Sequence, residues 1–319
     1  MAGLDKQLFQ PVAKRQRCVL YRQTMKLFLL LLISPILTVG QTNYKGAIIN
    51  KRTQEKIPFA TVGLMKENIG TNAGEDGFFN LTSNNKKNND TLIISCIGYE
   101  ILKLPAEQLT LANNTNSFEL TEQQTNLEEV IVTNKTVWAT SSLNDFKNCG
   151  NSFITSSGYQ TQLAQHFSTS AENSILTDVK ICRMSNGILG PEKTIFRIRV
   201  YGIDTLTKSP KNDLCNEIIE VKSSSKFIKL DMEKYKIHIP DKDFFIAVEW
   251  LKIPYNENKT KIKLNGSEVE NITYRPSIGW TDNESSNMEA WMLDYNNKWR
   301  PMFKANGKTS VSISATVKY

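Results

Sequence analysis

The sequence predicts an all-β protein that consists of two successive β-sandwiches, and two observations carry this prediction. First, short apolar segments recur from Asn43 onward, most of them alternating with polar residues, and turn residues separate them about every 8 to 15 positions. Second, a chain of 319 residues is long enough for about two domains, each with its own core. We therefore expect a leader at residues 1–40, a first sandwich at residues 41–135 and a second sandwich at residues 136–319.

The leader is predicted from an apolar run at residues 27–37 (LFLLLLISPIL), which follows Lys26 and precedes small residues. A membrane-spanning helix needs about 20 residues, and this run is shorter. Its length is typical of a secretory signal. Met25 is a better candidate for the start of translation than Met1. We expect an exported protein of the periplasm, outer membrane or cell surface, with no transmembrane helix in the mature chain. An uncleaved N-terminal anchor is the alternative.

The net charge of +7 does not indicate a nucleic-acid-binding protein. Residues 1–40 carry +5, from six basic residues and one acidic residue, so +2 remains for the rest of the chain. Binding to phosphates requires clustered positive charge. We therefore expect no nucleic acid among the partners.

The first sandwich is predicted from a series of short strands. They lie at residues 43–50, 60–65, 77–81, 91–97, 99–104 and 117–120. Asp76-Gly77 is a strong turn signal at the start of the third strand. Within that strand, alternation places Phe79 and Leu81 on one face and Phe78 on the other.

Several motifs of this region resemble the carboxypeptidase-like regulatory domain over residues 43–122. In order, they are KG at 45–46, IPFATV at 57–62, GT at 70–71, DGFF at 76–79 and SCIGYE at 95–100. The resemblance implies a transthyretin-like Greek-key sandwich of the kind common in two-domain envelope proteins of Gram-negative bacteria. It implies no catalytic activity, because the peptidase of the carboxypeptidases is a separate domain.

A further strand is predicted at residues 127–134 (LEEVIVTN), which resemble the segment that links this domain to the plug of TonB-dependent receptors. The chain that follows is too short for a plug and a receptor barrel. We expect this strand to close the first sandwich or to bridge to the second.

The second sandwich, of jelly-roll type, is predicted from strands that follow Val179. Residues 194–201 alternate apolar and polar, as do residues 311–319. Residues 244–251 (FFIAVEWL) are apolar on both faces except at Glu249, which is typical of a central strand.

One short helix is expected before these strands. Tyr159, Leu163 and Phe167 recur at i, i+4 and i+8, and this spacing fits one apolar face of an α-helix. Ser156 and Ser157 precede it, so a serine lies near the expected helix cap.

The chain offers no recognisable catalytic site. A zinc carboxypeptidase needs His and Glu ligands on one turn and a distant His, but the two histidines, His166 and His238, belong to no HxxE or HExxH motif. No GxSxG motif of a serine hydrolase occurs. We expect no catalytic residue, no metal and no cofactor, and infer that the protein is not an enzyme.

Tryptophan supplies the candidate binding residues. Four of the five tryptophans lie in the last 70 or so residues, and Trp250 is expected in the core because it lies in the central strand. Trp280, Trp291 and Trp299 are possible ligand-binding residues, because aromatic rings on a sandwich face can stack on sugars. The alternative is that they fill the core.

Four cysteines follow the leader: Cys96, Cys149, Cys182 and Cys215. In an oxidising compartment they allow two disulfides with any of three connectivities, and buried free thiols are the alternative.

Together, these observations favour an exported, non-enzymatic binding or structural protein of the bacterial envelope that recognises a glycan or another envelope protein. One alternative is an undetected hydrolase built on the jelly roll, because the sequence does not place acidic pairs such as Asp241 and Asp243 in space. Two further alternatives stay open. One is a small outer-membrane β-barrel, because the chain ends in an alternating strand with Tyr319 at its end. The other is an accessory component of a TonB-dependent uptake system.

Overall fold

The computed structural model describes residues 41–84, 89–109, 116–123, 138–185, 192–281, 289–294, 297–302 and 310–319. The predicted leader and the predicted strand at residues 127–134 lie outside these ranges. Within them the regular structure is β-strand with short 3₁₀ turns, and no α-helix occurs. Accordingly, the described part of the chain holds no helix with the length and apolarity needed to cross a bilayer.

Seven strands form the first sandwich. They are β1 (Thr42–Asn50), β2 (Thr61–Leu64), β3 (Ile69–Asn72), β4 (Phe78–Ser83), β5 (Thr91–Ser95), β6 (Leu102–Pro105) and β7 (Asn116–Leu120). One sheet has the order β4-β1-β7 and the other β3-β2-β5-β6. Strands β1 and β7 pair in parallel.

The core of the first sandwich follows from the alternation of its strands. In β4, Phe79 and Leu81 are buried, whereas Phe78 and Asn80 are exposed. Phe79 packs against Phe118 of β7 with ring centroids 5.4 Å apart. The predicted faces of this strand are therefore confirmed, and so is the β-sandwich predicted for this region.

Fifteen further strands form the second sandwich in the described ranges. They are β8 (Thr140–Leu143), β9 (Phe153–Ser156), β10 (Gln162–Ser168), β11 (Ser174–Met184), β12 (Thr194–Ile203), β13 (Pro210–Asp213), β14 (Ile219–Ser223), β15 (Phe227–Asp231), β16 (His238–Ile239), β17 (Asp243–Trp250), β18 (Glu257–Leu264), β19 (Ser267–Gly279), β20 (Ala290–Leu293), β21 (Trp299–Pro301) and β22 (Ile313–Lys318).

These strands make two large sheets. The seven-stranded sheet has the order β13-β12-β17-β10-β20-β21, with β14 also paired to β12. The eight-stranded sheet has the order β18-β19-β11-β22-β8, with β15 and β16 paired to β11 and β9 paired to β19. Because β17 lies between β12 and β10, the prediction that residues 244–251 form a central strand is confirmed.

The core of the second sandwich lies between these sheets. From β17 it receives Phe244, Ile246, Val248 and Trp250, all at most 1% exposed. The Trp250 indole Nε1 donates a hydrogen bond of 2.7 Å to the carbonyl oxygen of Pro276, so its one polar atom is satisfied inside the core.

The predicted helix around residues 159–167 is wrong, because residues 162–168 form strand β10. A spacing of four and eight residues fits a helix, but it is also even and therefore fits the two-residue period of a strand. Leu163 and Phe167 share one side of β10 and are fully buried in the core, as a strand requires.

The cysteines combine the two predicted alternatives. Cys149 and Cys182 form a disulfide with their Cα atoms 5.5 Å apart, which ties the segment before β9 to β11. Cys96 and Cys215 are free thiols, the first partly exposed and the second buried.

Candidate functional site

The side of the seven-stranded sheet that points away from the second-sandwich core carries the candidate site. We call this side the outer face. Neighbouring side chains of a strand point to opposite faces, so β17 contributes Phe245, Ala247 and Glu249 to the outer face. Strand β12 contributes Ile195, Arg197, Arg199 and Tyr201 to the same side.

One half of the outer face is covered by the first sandwich, and we call it the covered half. Phe59 of the first sandwich packs there with Ile195, Leu251 and Ile253, and all four are at most 4% exposed. Arg197 lies beside them, with its Nη2 donating to the carbonyl oxygen of Pro58 at 3.0 Å. Its guanidinium carbon lies 5.9 Å from the centre of the Phe59 ring.

Two hydrogen bonds between Asn72 and the Lys252 backbone fix the position of the first sandwich on the covered half. The Lys252 amide donates to the side-chain oxygen of Asn72 at 2.7 Å, and the Asn72 amide donates to the Lys252 carbonyl at 3.3 Å. Tyr159 lies against Gly70 so closely that a Cβ atom at residue 70 would approach its ring to 2.3 Å. The first sandwich and the covered half are therefore complementary in shape as well as in hydrogen bonding.

A charged row separates the two halves of the outer face. The Arg199 Nε donates to Asp213 at 3.0 Å, and its Nη1 lies 3.5 Å from the Glu249 carboxylate. Burial alone would lower the pKa of Arg199, but nearby Tyr201, Glu249 and Asp213 outweigh burial and raise it. Arg199 is therefore a permanent positive charge in the middle of the face.

The other half of the outer face carries four aromatic rings, those of Tyr201, Phe245, Trp291 and Trp299, and we call it the aromatic half. The Tyr201 and Trp299 rings meet edge to face at 5.7 Å, and those of Phe245 and Trp291 at 6.3 Å. Tyr201 and Phe245 are buried, whereas the two tryptophans remain partly exposed.

Small residues make room for these rings. Ala164 of β10 pairs with Ala247 of β17 on one side and with Trp291 of β20 on the other. Both alanines are completely buried, and the aromatic side chains pack over them. Two adjacent alanines leave a shallow floor on which large rings can lie flat or on edge.

Polar groups adjoin the aromatic half. The Tyr201 hydroxyl donates to the side-chain oxygen of Gln162 at 2.8 Å, and burial raises the pKa of Tyr201. His166 Nε2 lies 3.1 Å from the Asp243 carboxylate, and its ring centre lies 5.0 Å from that of Phe245.

The structure brings together two of the three tryptophans predicted for ligand binding and buries the third in the core. Trp291 and Trp299 lie on neighbouring strands of the outer face. Trp280 is 6% exposed and packs in the core of the second sandwich, where it pairs with Val311. The sequence predicts Trp280 as a ligand-binding residue, but it directly follows β19, whose last residues are all buried.

Tyr201 and Phe245 were not predicted as site residues. The alternation of residues 194–201 placed Tyr201 opposite the core side, but alternation does not say which strands lie beside it. In the strand order β12-β17-β10-β20-β21 three strands lie between Tyr201 and Trp299, and only the packed structure shows that the two side chains meet across them.

The possible ligands of a peptidase metal are not brought together. His166 lies on β10 in the seven-stranded sheet and His238 on β16 in the eight-stranded sheet. Among the residues that the structure describes, no three His, Cys, Asp or Glu side chains are grouped to hold a metal ion.

Comparisons with known proteins agree with the motifs of the first sandwich. Residues 44–132 match the family model of the CarboxypepD_reg-like domain, which confirms the resemblance predicted for residues 43–122. No curated protein matches the chain.

Two solved structures show a weak likeness. One is the clostridial cysteine protease Cwp84 after propeptide cleavage, with a TM-score of 0.33 and 12% identity over 72% of this chain and 52% of that one. The other contains the cysteine protease and lectin-like domains of Cwp84, a surface-layer-associated protein of Clostridium difficile, with a TM-score of 0.34 and 11% identity over 82% and 59% of the two chains. The chain thus spans little more than half of each, and TM-scores this low establish no common fold.

Proposed function

We propose that this is an exported, non-enzymatic binding protein of the bacterial envelope and that its aromatic half binds a glycan. The observation that supports it most is the placement of Trp291 and Trp299 together, partly exposed, on one face of a sheet. The regulatory-domain match at residues 44–132 and the signal-like run at residues 27–37 support the envelope location.

The chemistry of the aromatic half suits a sugar. Indole rings offer flat apolar surfaces for the C–H groups of a pyranose, and their exposed portions lie beside polar groups that can bond hydroxyls. Those groups are His166 and Asp243, which lie on the outer face with Phe245. Since the rings already rest on Tyr201, Phe245 and buried alanines, binding would order few side chains, which lowers its entropic cost.

Binding to an array of bacterial and host oligosaccharides tests the proposal, followed by calorimetric titration with the best oligosaccharide found. We expect Trp291→Ala and Trp299→Ala each to weaken its binding at least about tenfold, as for an aromatic anchor. Trp138→Ala is the matched control, because Trp138 is 40% exposed and precedes β8 in the other sheet. An array without binders, or equal loss in all three variants, would overturn the proposal.

The non-enzymatic part has its own test. We expect the purified protein to release no C-terminal residue from peptides, with or without added zinc. Metal-dependent release that is lost in His166→Ala or His238→Ala would contradict it.

A further inference from the structure

A second surface, unrelated to the aromatic half, is a ribbon formed by β18 and the first part of β19. The two strands pair antiparallel from Glu257↔Tyr274 to Leu264↔Ser267. A two-residue turn, Asn265-Gly266, connects them with φ values of 50° and 84°, as a tight hairpin requires. We call residues 258–273 the ribbon.

Both edges of the ribbon are open in the described part of the chain. Strand β18 is the last strand of its sheet. Strand β19 pairs with β9 and β11 only from Tyr274 onward, so its residues before Tyr274 pair with β18 alone. Every residue from Lys259 to Glu270 is exposed.

The hydrogen-bond pattern shows which backbone groups are available at each edge. Leu264 and Ser267 flank the two-residue turn and therefore form a hydrogen-bonded pair, and such pairs alternate along the ribbon. The backbone groups of Lys259, Lys261 and Lys263 consequently point away from β19. On β19, the backbone groups of Glu268 and Glu270 point away from β18.

The two open edges thus carry opposite charge. One edge displays three lysines at alternate positions, and the other displays two glutamates. Inside the ribbon the charges interact weakly, since the Lys261–Glu268 pair spans 3.8 Å with side chains 80% and 61% exposed. On the opposite side of the ribbon, Ile262, Leu264 and Val269 are 36–58% exposed.

We propose that the ribbon docks edge to edge with the ribbon of a second copy of this chain, with the lysine edge of one copy pairing with the glutamate edge of the next. An open edge is a template for an added strand. Pairing of like edges would oppose lysines to lysines, which is repulsive. A lysine edge and a glutamate edge have similar length and opposite charge, and their apolar residues lie on the same side of the ribbon. One chain carries both edges.

This pairing is head to tail, because it joins two different edges of the ribbon. Two ribbons side by side in the same orientation place β19 of one beside β18 of the next, and these strands run antiparallel. Each copy keeps one open edge of each kind, so growth does not stop at a dimer. The apolar residues of successive ribbons would form one continuous stripe.

Analytical ultracentrifugation of the exported protein, purified from cells, tests this proposal. We expect the average mass to rise with protein concentration and to fall as salt is raised from about 0.05 M to about 0.5 M, since salt screens exposed charges. The variants K259E/K261E/K263E and E268K/E270K should each be monomeric alone. An equimolar mixture of the two should associate again, because their edges are complementary.

Two further variants separate edge pairing from other causes. Lys261→Pro removes an outward amide but no bond to β19, so we expect at least about tenfold weaker association with thermal unfolding little changed. The variant K51E/K103E/K208E makes the same charge change at exposed positions elsewhere and should associate like the wild type. A wild-type protein that stays monomeric at all concentrations, or a mixture that stays monomeric, would overturn the proposal.

Discussion

The covered half and the aromatic half lie on the same face of the same sheet, yet they are shielded in different ways. On the covered half, Phe59 from the first sandwich fills the space above Ile195 and Leu251 and is 1% exposed. On the aromatic half, the second sandwich supplies its own rings, and Trp291 and Trp299 remain partly exposed.

The difference shows what a surface needs to be permanently buried. The covered half adds hydrogen bonds between Asn72 and the Lys252 backbone and a shape match between Tyr159 and Gly70. The aromatic half has the ion pairs of Arg199 at its border and no such fixed partner among the described residues. We therefore expect the covered half to determine stability and the aromatic half to determine binding.

The largest effect is expected from Phe59→Ala. Removing a fully buried ring from the covered half leaves a cavity, which should lower the free energy of unfolding by about 3 to 5 kcal/mol. Urea denaturation measures the change. Phe78→Ala on the same sandwich is the control, since Phe78 is 37% exposed, and a similar loss there would mean that the covered half has no special role.

Gly70→Val should lower the free energy of unfolding by about 2 to 3 kcal/mol, because its side chain would collide with the Tyr159 ring. Combining it with Tyr159→Ala should recover part of this loss, and a double-mutant cycle in denaturant measures the coupling. Gly202→Ala is a control, because its Cβ would meet its nearest neighbour at 3.6 Å. Strict additivity of the two changes would refute the proposed contact.

A smaller stability change is expected from Trp299→Ala on the aromatic half. A partly exposed ring contributes less burial, so we expect a loss of about 1 kcal/mol in thermal or urea unfolding. A loss as large as that of Phe59→Ala would show that the aromatic half is structural and would remove the contrast between the two halves.

The smallest effect concerns pH. Burial lowers the pKa of Lys252, which lies on the covered half, below its value of about 10.4 in the unfolded chain. Between the folded and the unfolded pKa the unfolded state binds more protons, so stability should rise with pH in that interval and the charge-burial penalty should be complete below it.

Urea denaturation of the wild type and of Lys252→Met at pH values from about 7 to about 10.5 isolates this contribution. We expect the wild type to gain stability relative to the variant as pH rises. Lys51→Met controls for the loss of one exposed lysine. Parallel pH profiles for the wild type and Lys252→Met would contradict the predicted burial effect.

Much of the fold could be predicted because the alternation of apolar and polar residues can be read from the sequence. The two-residue period of residues 78–81 assigns Phe79 and Leu81 to a core, and the apolar run at residues 244–251 predicts a central strand. The motifs between residues 45 and 100 predicted the family of the first sandwich, since they stay close together in sequence.

The candidate site was less predictable. The spacing of residues 159–167 fits both a helix and a strand because it is even, and only the packing of Leu163 and Phe167 between two sheets decides for a strand. The sequence does not show which of Trp280, Trp291 and Trp299 is buried, because their burial depends on which strands lie beside them.

By itself, the sequence determined the class of the fold, the positions of most strands of the first sandwich and the faces of individual strands, because these depend on residues a few positions apart. Tertiary structure alone decided that Cys149 pairs with Cys182, that Trp280 is enclosed, and that Trp299 meets Tyr201 from a strand nearly 100 residues away. The physical reason is that strand order and register are set by the total burial of both sheets, and no local period records them.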